Sequence, residues 1–342
     1  MAQRLNVLYQ FDEGYAPFAG TSMVSLFRNN RDLEEICVYV LGEHLTDATK
    51  DRFLGMVRRY ERAIRFVDTA ALVRRMQQMG IPDYRGSYAS NFKMFLPELL
   101  RQDQPDRILY IDSDTLITGS LAPLLTWPMN GQPVAMAYDS LGRRHARLIG
   151  LQPGDSYFNA GVILFDVRRW RQMNCTDRIV EHVRHVRAHY MAPDQDLLNV
   201  VLHGQIALLP PEYNFQPIHT VCGPTLYGLL FRPKNYYTAD QLRAASRSPV
   251  IHHFFRFLGE FPWHADTLHP DREIFDTYLA LSPWAEYERV PASQSGLVFR
   301  LERWMYRFLP RWLFLLIFKI AYDAFINRCW RDSEQGKNND WM

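Results

Sequence analysis

At 342 residues and 47% hydrophobic content, the chain can bury a substantial core, either in one large α/β domain or in two smaller ones. A formal net charge of only +2 excludes whole-protein attraction to nucleic acid, so no nucleic-acid partner is expected. The four cysteines, Cys37, Cys175, Cys222 and Cys329, form no C-x-x-C pair or zinc spacing, which fits a reducing compartment.

The opening MAQRLNVLYQFDEGY lacks the apolar run of a secretory signal, because polar and acidic residues arrive too soon. Residues 5–9 therefore read as a first strand, and the protein is expected in a cytoplasm. An apolar helical pattern covers 17–30, and ICVYVL (36–41) is a second strand. Thr46 is the natural N-cap of a helix running to about Arg62, with Asp47 near its positive end. Strands follow at 64–67, 108–111, 134–137, 161–165 and 206–209. Helices are expected over 90–101, from Arg168, and over 194–203. Strands alternating with helices predict an α/β fold with a mostly parallel sheet covered on both faces, and ligands bind beyond the carboxyl ends of such strands. No repeat or linker divides 1–290, which reads as one catalytic domain followed by a distinct segment, 291–342.

The stretch RILYIDSDTL (107–116) runs an apolar strand into two acids. Side chains two apart on a strand share a face, so Asp112 and Asp114 can converge while Ser113 faces elsewhere. Carboxylates held this close repel each other unless a divalent cation, magnesium or manganese, joins them, and phosphate oxygens can then fill its open positions. The alternative is a turn in which both acids cap backbone groups.

Further segments make a pattern. YFNAGVILFDVRRWR (157–171), PDQDLLN (193–199), YIDSDTLITGSLAPL, LNVLYQFDEGYAPFAGTSMVSL, LPPEYNFQP (209–217) and IHHFFRFLGEFPWH (251–264) resemble, in order, the blocks of glycosyltransferase family 8 over roughly residues 4–285. The Asn-Ala-Gly block and the late Pro-Trp-His are most similar to those of bacterial lipopolysaccharide galactosyl- and glucosyltransferases. The resemblance implies a GT-A nucleotide-sugar-binding fold. It also implies transfer of a hexose from a UDP-sugar to a saccharide or glycolipid acceptor, with retention of anomeric configuration and a divalent metal, usually manganese.

Carried over residue by residue, the resemblance makes Asp112, Asp114 and His253 the metal ligands, with His252 the alternative by one place. It gives Asp12 and Tyr15 to the nucleoside, with Gly14 where many members have Asn, and Lys93 to the donor in place of an arginine. Ser113 falls within the same donor-binding block. Asn159 would reach donor sugar or acceptor, Asp194 would bind the sugar hydroxyls, and Gln195 would lie under the anomeric carbon. Asp194 reads equally as the N-cap of its helix, and Lys93 as part of a solvated helix face. Tyr213 and Asn214 would shape the acceptor pocket. Where the family carries a diphosphate-binding lysine before Pro-Trp, this chain has Phe261, so Arg256 is the candidate substitute. An amide at 195 is a poor nucleophile, which favours same-face attack, with the departing phosphate taking the acceptor's proton, over double displacement.

The last segment differs in kind. Between Arg300 and Arg331 lie seven basic and two acidic residues, a net +5, interleaved with Trp304, Tyr306, Phe308, Trp312 and further aromatics. Its longest uncharged run, 312–318, falls far short of the about 20 residues a span requires, and Pro310 breaks the pattern. Such a segment is expected to lie peripherally on anionic lipid at the inner face of the cell membrane. Packing on the catalytic domain or an oligomer contact is the alternative. Competing functions are a glycogenin-like initiator that glucosylates itself and a non-catalytic nucleotide-sugar-binding protein, the latter favoured by Phe261.

Overall fold

The computed structural model describes residues 4–334 other than 82, 84, 85, 101, 102, 104, 153, 187–189, 232–234 and 295. Nine strands are seen among them: β1 (Arg4–Asp12), β2 (Glu35–Glu43), β3 (Ala63–Phe66), β4 (Arg107–Ile111), β5 (Thr115–Ile117), β6 (Val134–Tyr138), β7 (Phe158–Asp166), β8 (Ile206–Leu208) and β9 (Ile251–His253). Seven make one sheet in the order β3-β2-β1-β4-β7-β6-β8, and β5 pairs with β9 apart from it. Within the seven-stranded sheet only β7 runs against its neighbours. The sheet is thus the mostly parallel one expected.

Both faces are covered, as the strand sequences require. Along β1, Leu5, Val7, Tyr9 and Phe11 enter one apolar core while Leu8 enters the other. Along β2, Ile36, Val38 and Val40 alternate with Cys37, Tyr39 and Leu41 in the same way. All four cysteines are free and buried. Thr46 caps the helix Asp47–Arg59 by accepting from the Thr49 N–H at 3.2 Å. The helix expected over 90–101 is instead a 3-10 helix, Ala89–Phe95, followed by a short α-helix, Leu96–Leu99. It is buried almost all round, so packing rather than helical periodicity sets its course; Arg101 lies outside the described residues.

The helix Ala16–Asn29 fixes the small sheet. Ser22 Oγ lies 2.9 Å from Tyr9 on β1 and 3.0 Å from Thr115 on β5, and Ser25 Oγ accepts from the Ile117 N–H at 2.8 Å. β5 is thereby tied to the main sheet through one helix, and β9 follows β5.

The C-terminal segment is two helices, Leu297–Phe308 and Arg311–Glu334, broken at Leu309-Pro310 as the proline predicts. The second is not a loose tail. Phe314, Leu315, Ile326 and Cys329 are buried, and the helix packs on Pro217–Leu230 and Gly142–Leu148. Residues 335–342 of this segment lie outside the described residues. Among the described residues no helix is long and apolar enough to cross a membrane.

Candidate active site

β4 ends at Ile111, and the chain bends through Asp112, Ser113 and Asp114 into β5. The two acids converge as expected, but from a bend between two sheets rather than from one face of a strand. The Asp112 N–H still donates to the Gly161 carbonyl of the main sheet (2.8 Å), whereas the Asp114 carbonyl already accepts from the Phe254 N–H beyond β9 (2.7 Å). β9 lies antiparallel to β5 with His253 opposite Thr115. His253 Nε2 therefore stands 3.7 Å from Asp112 Oδ2 and 3.5 Å from Asp114 Oδ1. Ligand atoms of the three residues lie within 4.8 Å of one another. His252 is excluded from this set: its Nδ1 faces Asp271 Oδ1 at 3.3 Å.

The donor chemistry fits a divalent cation. His253 Nδ1 lies 3.0 Å from Asn214 Oδ1, an acceptor, so Nδ1 carries the hydrogen and Nε2 keeps its lone pair toward the carboxylates. Loss of water around Asp112, reinforced by Asp114, raises its pKa despite Lys93, His253 and the Tyr110 hydroxyl, which lower it. Burial lowers the His253 pKa, but Asp114 and Asp112 outweigh it and the net shift is upward. The Asp112 shift marks chiefly a carboxylate stripped of water, and the His253 shift the two carboxylates beside it; a bound cation would relieve both. Ser113 is buried between the acids, and its hydroxyl has no hydrogen-bond partner among the described residues.

Beside the acids lies a second set. Lys93 is fully buried, which rules out the solvated face. Its ammonium sits 2.6 Å from Asp194 Oδ2 and 4.3 Å from the centre of the Tyr110 ring, and the Tyr110 hydroxyl donates to Asp112. Lys93 thus connects the bend to the helix Pro193–Val201. Ala192, not Asp194, is that helix's N-cap, and Asp194 lies in its first turn. Gln195 Oε1 accepts from the Ala160 N–H (2.9 Å), while its Nε2 donates to the Tyr157 hydroxyl (3.0 Å) and to Asp139 Oδ2 (3.3 Å). Asn159 Nδ2 donates to the same Asp139 oxygen at 3.1 Å.

At the end of β1, Asp12 caps the following turn by accepting from the Tyr15 N–H at 3.1 Å, while the Tyr15 ring stays partly exposed. That ring meets Trp263 edge-on at 6.3 Å, and Trp263 stacks on Phe261 at 4.4 Å. Arg256 is exposed and lies 5.5 Å from the centre of the Phe261 ring. Phe261 thus continues an aromatic stack with Arg256 at its end, one ring beyond the tryptophan that borders Tyr15.

Sequence reasoning missed Asp139 and the contact of Asn214 with His253. Asp139 follows the apolar strand VAMAY, the pattern that singled out Asp112 in RILYID, and that signal was available. Asn214 is buried with both ends of its amide engaged inside the protein. Its Oδ1 faces His253 Nδ1, and its Nδ2 donates to Asn159 Oδ1 at 2.8 Å. Tyr213 belongs to the apolar core. Asp196 is wholly buried, accepting from the Tyr157 hydroxyl (2.6 Å) and the Ala192 N–H (3.0 Å), with His145 Nε2 at 2.8 Å.

Sheet and site together define a GT-A glycosyltransferase fold. The chain belongs to glycosyl transferase family 8, whose family model matches residues 6–267. It is 26% identical over 286 residues to the lipopolysaccharide 1,2-glucosyltransferase of Escherichia coli K12, covering 82% of this chain and 79% of the relative. It is likewise 26% identical to general stress protein A of Bacillus subtilis (80% and 92% covered). It is 24% identical to the lipopolysaccharide 1,3-galactosyltransferase of Salmonella typhimurium (83% and 80%). Among solved structures, the galactosyltransferase LgtC with donor and acceptor sugar analogs superposes with a TM-score of 0.65 at 22% identity, covering 86% of this chain and 99% of that one. The bifunctional glycosyltransferase WbbM gives 0.69 at 21% identity; the match covers 84% of this chain but only 51% of WbbM.

Proposed function

We propose that this chain transfers a hexose from a UDP-sugar, with retention, to the saccharide of a lipopolysaccharide or another surface glycolipid at the cytoplasmic face of a membrane. The observation that carries the reading is the convergence of Asp112, Asp114 and His253 one buried lysine away from Asp194 and Gln195. Relatives named as lipopolysaccharide glucosyl- and galactosyltransferases support the acceptor class.

Asp112, Asp114 and His253 would hold the cation, and an imidazole beside two carboxylates favours manganese over magnesium. Bound there, it supplies Lewis-acid charge for the diphosphate. Asp12 and Tyr15 receive the nucleoside, with Ser113 beside the diphosphate and Arg256 supplying the charge that Phe261 lacks. Asp194, held by Lys93, takes sugar hydroxyls. Gln195 is fixed at both ends of its amide, by the Ala160 N–H and by Tyr157 with Asp139, so it presents a dipole rather than a nucleophile. The C1–O bond to phosphate breaks with its electron pair going to UDP. The acceptor oxygen bonds C1 from the same face, and its proton goes to the departing phosphate oxygen.

A panel of UDP-hexoses incubated with manganese and no acceptor tests the reading. At least one should be hydrolysed in a cation-dependent manner, and no hydrolysis of any would overturn it. With the sugar so found, Gln195→Ala should lower kcat about 10- to 100-fold at nearly constant KM, since a group under the anomeric carbon acts in the transition state. Lost affinity at full turnover would make Gln195 a binding residue only.

Membrane engagement has its own support. The helix Leu297–Phe308 packs Met305 and Tyr306 on the core but leaves a second apolar face outside. Arg303 faces inward, ion-paired with the buried Glu260, while Leu297, Leu301, Trp304 and Phe308 are 83%, 54%, 53% and 63% exposed. These four recur at helical spacing, with Arg300 and Arg307 also exposed. A truncation before residue 300 would strip Phe314 and Leu315 from the core, so exposed residues make the cleaner test. Trp304→Ser with Phe308→Ser should cut co-sedimentation with phosphatidylglycerol vesicles at least about tenfold, because burying each aromatic contributes roughly 1.5–3 kcal/mol. Binding of the parent chain should weaken with salt but not vanish. Indifference of the parent to such vesicles at low salt would refute the membrane role.

A further inference from the structure

We propose that the C-terminal helix Arg311–Glu334 forms the outer wall of the acceptor cleft, so that one segment serves both lipid and saccharide. This rests on the transferase reading above. A cavity of about 520 Å³, within the range of small-molecule sites, lies between the catalytic domain and this helix. Asp139 and Tyr157 are among its lining residues. Both are hydrogen-bonded to Gln195, so the cavity begins one hydrogen bond from the residue assigned to the anomeric carbon.

Its outer side is one face of the helix. Lys319, Tyr322, Ile326 and Trp330 line it, at spacings of three and four residues. The face is held in position. Leu315 and Cys329 are buried, the Arg147 guanidinium lies 3.8 Å from the centre of the Trp330 ring, and the Tyr322 hydroxyl reaches the Leu141 carbonyl at 3.4 Å.

The chemistry selects the ligand. Among the described residues the two cations lining the cavity are engaged: Lys319 pairs with Asp323 at 2.9 Å, and Arg147 covers Trp330. The carboxylates of Asp139, Asp155 and Asp323 in the same lining disfavour a phosphate. What it offers is aromatic faces, for the C–H faces of sugar rings, and amides such as Asn327 and Gln152, for hydroxyls. A neutral oligosaccharide end is the ligand class that fits. The exposed apolar helix Leu297–Phe308 immediately precedes this wall, so a glycolipid whose headgroup enters the cleft would have its lipid next to a lipid-binding surface.

Saturation-transfer NMR on the full chain with UDP and manganese tests this, with lactose, maltose and deacylated rough lipopolysaccharide as probes. At least one probe should bind. Its affinity should fall at least tenfold in Trp330→Ala, which removes the wall, and in Asn327→Trp, which fills the cavity from an exposed position and removes no core contact. UDP affinity, measured in the same samples, reports the integrity of the donor site. No binding by any probe, survival of binding in both variants, or an equal loss of UDP affinity in both would each overturn the proposal. If the parent chain itself fails to bind UDP, the transferase reading falls, and this inference falls with it.

Discussion

Asp114→Ala abolishes cation-dependent UDP binding and leaves the fold standing. Its carboxylate is one of three converging ligands, and the part of the residue that holds the chain is the backbone carbonyl facing the Phe254 N–H, which the substitution keeps. Cation affinity should drop by about 100-fold or more, since even an outer-shell partner costs 10- to 100-fold. Turnover should fall by about 10²–10³-fold, the scale of losing one positioned partner of a developing charge. Without cation the substitution removes a charge that raises the Asp112 pKa, so in EDTA the variant should unfold no earlier than the parent. Calorimetric titration of UDP with and without manganese, and thermal unfolding in EDTA, are the measurements. Unchanged manganese-dependent affinity would remove Asp114 from the ligand set.

The sheet was legible because its strands are long and apolar. The runs at the starts of β1, β2, β4, β6 and β7 can only be buried strands, and acids that end such runs stand out. β5 and β9 were not legible. Each has three residues, a length that carries no periodicity; β8, equally short, was read only from its apolar run before Leu209-Pro210. Yet that pair carries His253 to the acids, so the histidine could be chosen over His252 only from family resemblance until the pairing with Thr115 was seen. Lys93 was ambiguous because a 3-10 helix that is buried all round has no apolar stripe to reveal it. The C-terminal helices misled in an instructive way. Their shared composition suggested one peripheral segment, but Leu297–Phe308 exposes its apolar face while Arg311–Glu334 buries Phe314 and Leu315. Composition counts residues, and it takes the pairing of Arg303 with Glu260 and the packing of Met305 and Tyr306 on the core to show which side of the first helix faces the protein.

The metal ligands and the sugar residues are parts of one hydrogen-bonded construction. From His253 the chain of contacts runs through Asn214 and Asn159 to Asp139, which also receives Gln195. Five elements contribute: β9, the turn Pro211–Asn214, β7, the end of β6 and the helix Pro193–Val201. Errors in position at one end are therefore transmitted to the other, which explains why amides, with a donor and an acceptor each, occupy the intermediate places.

Gly161→Ala tests that construction at its tightest point. A Cβ built on Gly161 falls 2.1 Å from His253 Cε1, 2.6 Å from Nδ1 and 2.8 Å from Nε2, so the glycine of the FNAG block is the space in which the ring lies. The ring is buried, its backbone is paired on both sides by β5 and by Phe215, and its Nδ1 is held by Asn214. It has room to yield only by rotating away from the carboxylates. Overpacking of this kind costs about 1–3 kcal/mol, so the folded variant should persist with a lower Tm. The catalytic loss should be far larger than that cost implies, because the displaced group is a ligand. Manganese-dependent stabilisation against heat should disappear, and UDP affinity should become independent of the cation. Asn214→Ala should produce a milder version, about 10- to 100-fold in cation affinity, since it removes the partner that orients the imidazole and leaves the ring its space. A Gly161→Ala protein that retains manganese-dependent UDP binding would show that His253 is not a ligand, whatever its distance from the acids.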